Sequence, residues 1–212
     1  MTIRIIGNVT SGITRMATIL VMPFLLLAHG AAQAAPFGPA SMVTGSITSQ
    51  PIGHYEFCLR YKAECQVRSK PAPARQVTDH GWDVIRMVNL DVNKTITPMT
   101  DMDVYGREEW WEYPVDAGDC EDFVLLKRKR LLQAGFSESD LLITVVRKPD
   151  GEGHAVLTVR TSIGDFILDN LVDEVKPWNE TSYTYLKRQA SFDSGRWVTI
   201  ETGKDVPVAA LK

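Results

Sequence analysis

Basic residues are in short supply in this chain: Lys and Arg number 23 against 26 Asp and Glu. Without a cationic surplus there is no surface to attract a phosphate backbone, so nucleic-acid binding is excluded as a main function. Long apolar runs are missing too. The longest, Ala17 to Ala28 (ATILVMPFLLLA), has about a dozen residues where a bilayer span needs roughly 20. No internal repeat is present, which excludes a solenoid or array. Cysteines are few, three in 212 residues, and their odd number leaves at least one without an intrachain partner.

The first 34 residues also lack acids, while Arg4 and Arg15 precede or border the apolar run and Ala32-Gln33-Ala34 follows it. That is the layout of a secretory signal peptide with small residues where a signal peptidase reads. No cysteine lies near the cut, which speaks against a lipid anchor. Cleavage after Ala34 would remove 34 of 212 residues and two arginines, leaving 178 residues with 21 basic and 26 acidic side chains, a net charge of −5. A chain of that size builds one ordinary domain and is not embedded in a membrane. Export implies the periplasm, an oxidising compartment in which paired cysteines form disulfides. Cys58 and Cys65, seven apart in a polar stretch, read as a local disulfide. Cys120 is then left alone, either inert and buried or, in a swapped arrangement, paired with Cys58 or Cys65.

Residues 35–50 are rich in Pro, Gly, Ser and Thr and read as an extended segment; Gln66 to Arg75, with Pro71 and Pro73, reads as a loop. From Thr78 the apolar positions Trp82, Ile85, Val88, Val92 and Ile96 step by three or four, predicting a helix capped at Thr78 and stopped before Pro98. A second helical stretch begins at Cys120 and ends at Gly135, with Val124, Leu125, Leu131 and Leu132 on one stripe. Cys120 falls about 40° from Val124 on that wheel, at the edge of the buried side. Arg128 interrupts the stripe, either snorkelling or making a buried ion pair. After Gly135 the period changes to two: Leu141 to Arg147, His154 to Thr161 and Asp165 to Asn170 are strands joined by hairpin turns, with two more at Tyr183 to Ala190 and Arg196 to Ile200. A cysteine-bearing helix followed by an antiparallel sheet is an α+β layout.

Cys120 opens its helix in Gly118-Asp119-Cys120-Glu121-Asp122-Phe123, where unpaired N–H groups and the positive dipole end favour a thiolate. A hairpin turn centred between Ser162 and Gly164 puts His154 and Asp169 on one face of neighbouring strands. Cysteine hydrolases need such an imidazole to manage the thiol proton and an acceptor to fix its tautomer. Cys120, His154 and Asp169 are therefore the candidate nucleophile, base and orienter, and the Cys120 backbone N–H is the candidate oxyanion donor. Taken singly, His154 also fits an exposed strand start and Asp169 a strand-end cap. His29 lies in the signal peptide; His54 and His80 lie in or beside loops with no partner signalled.

The segments Val104-Tyr105-Gly106, Trp110-Trp111-Glu112-Tyr113-Pro114, Gly118 to Phe123, Gly151 to Leu157 and Phe166 to Asn170 resemble the bacterial transglutaminase-like cysteine proteinase family over residues 80 to 200. The resemblance implies a papain-like/transglutaminase-like core with the nucleophile at a helix N-terminus packed on an antiparallel sheet. It implies a peptidase domain over residues 51–200, a tail over 201–212, and a Cys-His-Asp triad mapping onto Cys120, His154 and Asp169. It further implies calcium held by Asp119, Glu121 and Asp122, with no cofactor required for the chemistry. A protein substrate, a large cell-surface adhesin whose clipping releases biofilm cells, and a membrane receptor that sequesters the protease are the partners it implies. Acids in a first helical turn are also favoured by the dipole alone. Trp110 and Trp111 either line a substrate groove or belong to the core. Two other functions stay open: amide-to-amine transfer, as in a transglutaminase, and a non-catalytic periplasmic binding module.

Overall fold

In the computed structural model, residues 41–201 and the isolated Thr2 are described. The signal-peptide reading of residues 1–34 and the tail beyond Glu201 lie outside the described residues. Seven strands make one antiparallel sheet in the order β1 (Thr44–Thr48), β9 (Asp193–Ile200), β8 (Thr184–Ala190), β4 (Leu141–Arg147), β5 (Gly153–Thr161), β6 (Gly164–Leu168), β7 (Lys176–Pro177). The helices are α1 (Ile52–Arg60), α2 (Asp79–Thr95), α3 (Asp101–Tyr105) and α4 (Cys120–Gln133). Two-residue strands β2 (Thr97–Pro98) and β3 (Ala117–Gly118) pair in parallel just before α4. The fold is thus the α+β arrangement that the sequence predicts. Among the described residues no helix is long and apolar enough to cross a membrane.

Local chemistry accounts for the helix that the apolar spacing marks. Thr78 is the N-cap of α2, its hydroxyl accepting from the Gly81 N–H at 3.1 Å, and Ile96 turns to extended backbone ahead of Pro98. Helices α2 and α4 pack on each other. Against the sheet they bury Ile85, Val124, Leu125 and Leu131 with Leu141, Ile143, Leu157 and Val159.

Strand alternation sends Val146 and Val156 to the opposite face, where Met42, Ile167, Tyr185 and Ile200 form a second cluster. The segment read as extended therefore contributes to both the edge and the core. Thr44–Thr48 pairs antiparallel with β9, and the Met42 N–H donates to buried Asp165 Oδ2 at 2.9 Å. Arg128 makes the buried ion pair: its guanidinium meets Glu64 at 3.2 Å and Glu138 at 2.5 Å and donates to the Leu141 carbonyl.

Candidate active site

Gly118 and Asp119 deliver the chain to α4 with Cys120 as its first residue. A side chain at position 118 would meet Asp122 Oδ2 at 2.5 Å, so the tight entry requires glycine. Cys120 is a half-buried free thiol. Its S–H donates to Glu121 Oε2 at 2.9 Å, and its sulfur accepts the Ala155 N–H at 3.4 Å. Burial pushes the thiol well above its usual range and the adjoining Glu121 charge pushes it further. The helix dipole, expected from the sequence to favour thiolate, is outweighed here by desolvation and a neighbouring carboxylate.

His154 sits at the start of β5, one residue before the N–H that meets the sulfur. Pairing of Leu157 with Leu168 fixes the β5–β6 register, and alternation from that pair sends residues 154 and 169 to one face. The two side chains meet there: His154 Nε2 lies 2.9 Å from Asp169 Oδ1. A carboxylate acceptor assigns the imidazole proton to Nε2 and leaves Nδ1 as the basic nitrogen.

Asp169 is itself held. Its Oδ1 accepts the Leu171 N–H at 2.9 Å and its Oδ2 accepts the Tyr183 hydroxyl at 2.5 Å. The Tyr183 ring stands edge-on to His154 with centroids 5.6 Å apart. Burial alone would raise the Asp169 pKa, but the bonds from His154, Leu171 and Tyr183 together hold it below the usual carboxylate range. Tyr183 was not legible as a partner because it lies beyond the β7 excursion, with no local spacing linking it to Asp169.

Asp119 and Glu121 come together with Asp101, an acid of α3; one carboxylate oxygen from each lies within 4.8 Å of the others. Asp101 accepts the Trp110 N–H. Asp101 Oδ1 and Asp119 Oδ1 are buried without a hydrogen-bond partner. Burial and the Asp101 charge push Asp119 up to about 6, and burial with Asp119 pushes Glu121 well above its usual value.

Asp122, the third acid of the expected set, turns elsewhere. It accepts the Glu112 N–H at 2.8 Å and the Tyr105 hydroxyl at 3.4 Å, and burial raises it to about 8. Asp101 takes its place because an acid on a separate short helix is brought in by the β2–β3 pairing, a contact that local spacing does not announce.

The tryptophan pair divides. Trp111 is 2 % exposed in the core, so it lines no groove. Trp110 is half-buried between two cations, with the Arg60 and Arg107 guanidiniums 3.5 and 4.5 Å from its ring centroid.

Cys58 and Cys65 form the expected disulfide. Beside it lies His54, which belongs to α1 rather than a loop and is 1 % exposed. Its Nδ1 accepts the Trp197 indole N–H at 3.2 Å, Gln189 Nε2 is 3.1 Å from its Nε2, and Cys58 Sγ is 3.6 Å from Nδ1. Burial, helped by Arg128, lowers its pKa to about 3.

No curated protein sequence matches this chain. Among solved structures it is similar to Legionella pneumophila LapG in a calcium-bound form, at 20 % identity and a TM-score of 0.48, covering 71 % of this chain and 81 % of that one. An EGTA-treated form of LapG gives 21 % identity and a TM-score of 0.48, covering 71 % and 80 %. The sequence model of the bacterial transglutaminase-like cysteine proteinases (BTLCP) matches residues 44–205. That match takes in every described strand and helix and the free cysteine at the start of α4, and this chain accordingly belongs to that family of cysteine peptidases.

Proposed function

We propose that the protein is an exported endopeptidase working through Cys120 as nucleophile, His154 as proton carrier and Asp169 as orienter. One observation supports this above the others. His154 Nε2 is tied to a buried carboxylate at 2.9 Å, while the next residue's N–H meets the Cys120 sulfur at 3.4 Å.

With the proton held on Nε2 by Asp169, Nδ1 is free to take the Cys120 proton. The thiolate adds to the peptide carbonyl. The tetrahedral oxyanion is met by the Cys120 backbone N–H, which at the first position of α4 has no partner within its own helix. His154 then gives its proton from Nδ1 to the departing amine, leaving a thioester on Cys120. Water, deprotonated by the same nitrogen, releases the acid and restores the thiol.

Asp101, Asp119 and Glu121 would hold the calcium that the family resemblance implies. Hard oxygen donors, two of them buried and unpartnered, suit that ion. When bound, calcium supplies positive charge beside the nucleophile, where the carboxylates otherwise oppose a thiolate. Asp122 braces the loop before α4 rather than serving as a ligand.

The signal-peptide pattern supports a periplasmic location. The family resemblance supports a protein substrate, a large cell-surface adhesin, together with a membrane receptor that sequesters the enzyme.

The test is cleavage of a large surface protein from the same cell by purified enzyme, with and without chelator, compared with Cys120→Ala. Expected is discrete cleavage, lost by at least ~10³-fold in the variant at unchanged folding. Cleavage surviving in Cys120→Ala would overturn the assignment. Amine incorporation without hydrolysis would transfer it to a transglutaminase.

A further inference from the structure

Lys127 is a fully buried cation with no role in the chemistry above. It is 0 % exposed, and its Nζ makes no hydrogen bond among the described residues. Seven residues after Cys120 in α4, it falls about 20° from Cys120 on the helical wheel, on the buried stripe that runs back from the nucleophile.

Its surroundings are specific. The Phe123 ring, one turn earlier, has its centroid 5.8 Å from Nζ, and Phe123 belongs to the seam between α4 and α2. The charges that reach Lys127 are the carboxylates of Asp169 and Asp173, both in the loop between β6 and β7. That loop is stapled to α2 by two amides. Asn93 Nδ2 donates to the Asp169 carbonyl and to Asp173 Oδ1, both at 2.9 Å; Asn89 Nδ2 donates to the Val172 carbonyl at 3.1 Å and the Asp173 carbonyl at 2.9 Å. The neutral groups of α2 fix the loop, and two of its three acids, Asp169 and Asp173, are the charges acting on the ammonium.

Packing does not explain a lysine at this position. An unbranched apolar side chain would fill the space without desolvating an ammonium, and a buried ion generally lowers stability unless nearby charge compensates it. What a lysine adds over a methionine here is a positive charge that interacts with the Asp169 and Asp173 carboxylates.

We propose that Lys127 is a positioning residue of the catalytic triad: a buried counter-charge to Asp169 that tunes the proton affinity of His154 through that carboxylate. The inference rests on the assignment of Cys120, His154 and Asp169 given above.

The sign is fixed by electrostatics. A cation acting on Asp169 offsets part of the carboxylate's charge and disfavours the imidazolium, so removing it raises the His154 pKa. Burial lowers Lys127 to about 7, so the effect is largest below neutral pH, where the ammonium carries its proton.

The experiment follows the His154 imidazole resonances through a pH titration in the intact protein, in wild type and in Lys127→Met, Lys127→Gln and Lys127→Arg. Expected is an upward move of at least half a pH unit in the Met and Gln variants, a thermal midpoint unchanged or raised in Lys127→Met, and a wild-type titration in Lys127→Arg. Peptidase assays on the same proteins should show kcat changing with KM unchanged, and the acid limb of the rate profile moving with His154. An unmoved His154 titration in whichever neutral variant folds, or an equal shift in Lys127→Arg, would overturn the role of Lys127. Absence of peptidase activity in the wild type, with the His154 shift present, would instead overturn the triad assignment and leave the electrostatic link standing.

Discussion

Two buried histidines among the described residues lie in the neighbourhood of cysteines, one in contact with sulfur and one a residue away from the N–H that meets it, and they do opposite things. His154 precedes the residue whose N–H meets the free Cys120 thiol and faces a carboxylate; His54 lies against a disulfide and faces an indole and two amides. Burial alone makes an imidazole a poor base, and His54, with no acid to compensate, is held neutral down to about pH 3. At His154 an ionised acid, braced by Tyr183 and the Leu171 N–H, fixes the ring proton on one nitrogen and can stabilise a charged ring. Proximity of histidine to sulfur therefore identifies neither site; the group behind the ring separates a reacting centre from a packing element.

The comparison breaks most visibly by removing each ring. His154→Ala is expected to lower kcat/KM by ~10³-fold or more with little change in thermal stability. His54→Ala is expected to leave kcat/KM per folded molecule nearly intact while costing about 3 kcal/mol of stability, since it opens a cavity between Trp111 and Trp197. Parallel denaturation and rate measurements on the two variants check both, and an inactive but stable His54→Ala would dissolve the distinction.

The pH dependence of stability sharpens it. The folded His54 pKa is lowered, so the unfolded chain binds more protons between about pH 6.5 and pH 3. Its contribution is fully present above pH 6.5 and lost as pH falls towards 3, on the order of 4 kcal/mol over the window. Urea unfolding at stepped pH should show that acid slope in the wild type and a flatter one in His54→Gln.

Removing the sulfur cross-link by Cys58→Ser with Cys65→Ser should cost about 2.5 kcal/mol by loop-entropy reasoning, leaving the alkylation rate of Cys120 unchanged. The smallest effect belongs to Tyr183→Phe, which removes one bond to the Asp169 carboxylate. A loss of roughly 1.5 kcal/mol in transition-state stabilisation, about tenfold in kcat/KM, is expected with KM steady.

These contrasts bear on how much was legible in the sequence. The α2 cap, the hairpins and the facing of His154 and Asp169 were legible because they depend on local period and turn parity. Helix α1 was not. It is nine residues long, with Ile52, Tyr55 and Leu59 exposed while His54 and Phe57 go inside, so its apolar residues mark the wrong face. Asp101 reaches the acid cluster through the β2–β3 pairing, and Lys127 reads as one more charge in a basic helix until burial is known. Each of these depends on tertiary contacts that no short window contains.

The first strand of the sheet pairs with the last: Thr44 stands opposite Ile200, and Thr48 opposite Trp197. Trp197 is also the indole that closes over His54. Contacts of such sequence separation form late, because the whole intervening chain must be ordered before they are rewarded. The sheet therefore cannot close until β9 is in place. A chain ending before β9 would leave β1 without its partner strand and His54 without its covering indole, so a truncated product would lack both the sheet edge and the packing of the α1 histidine.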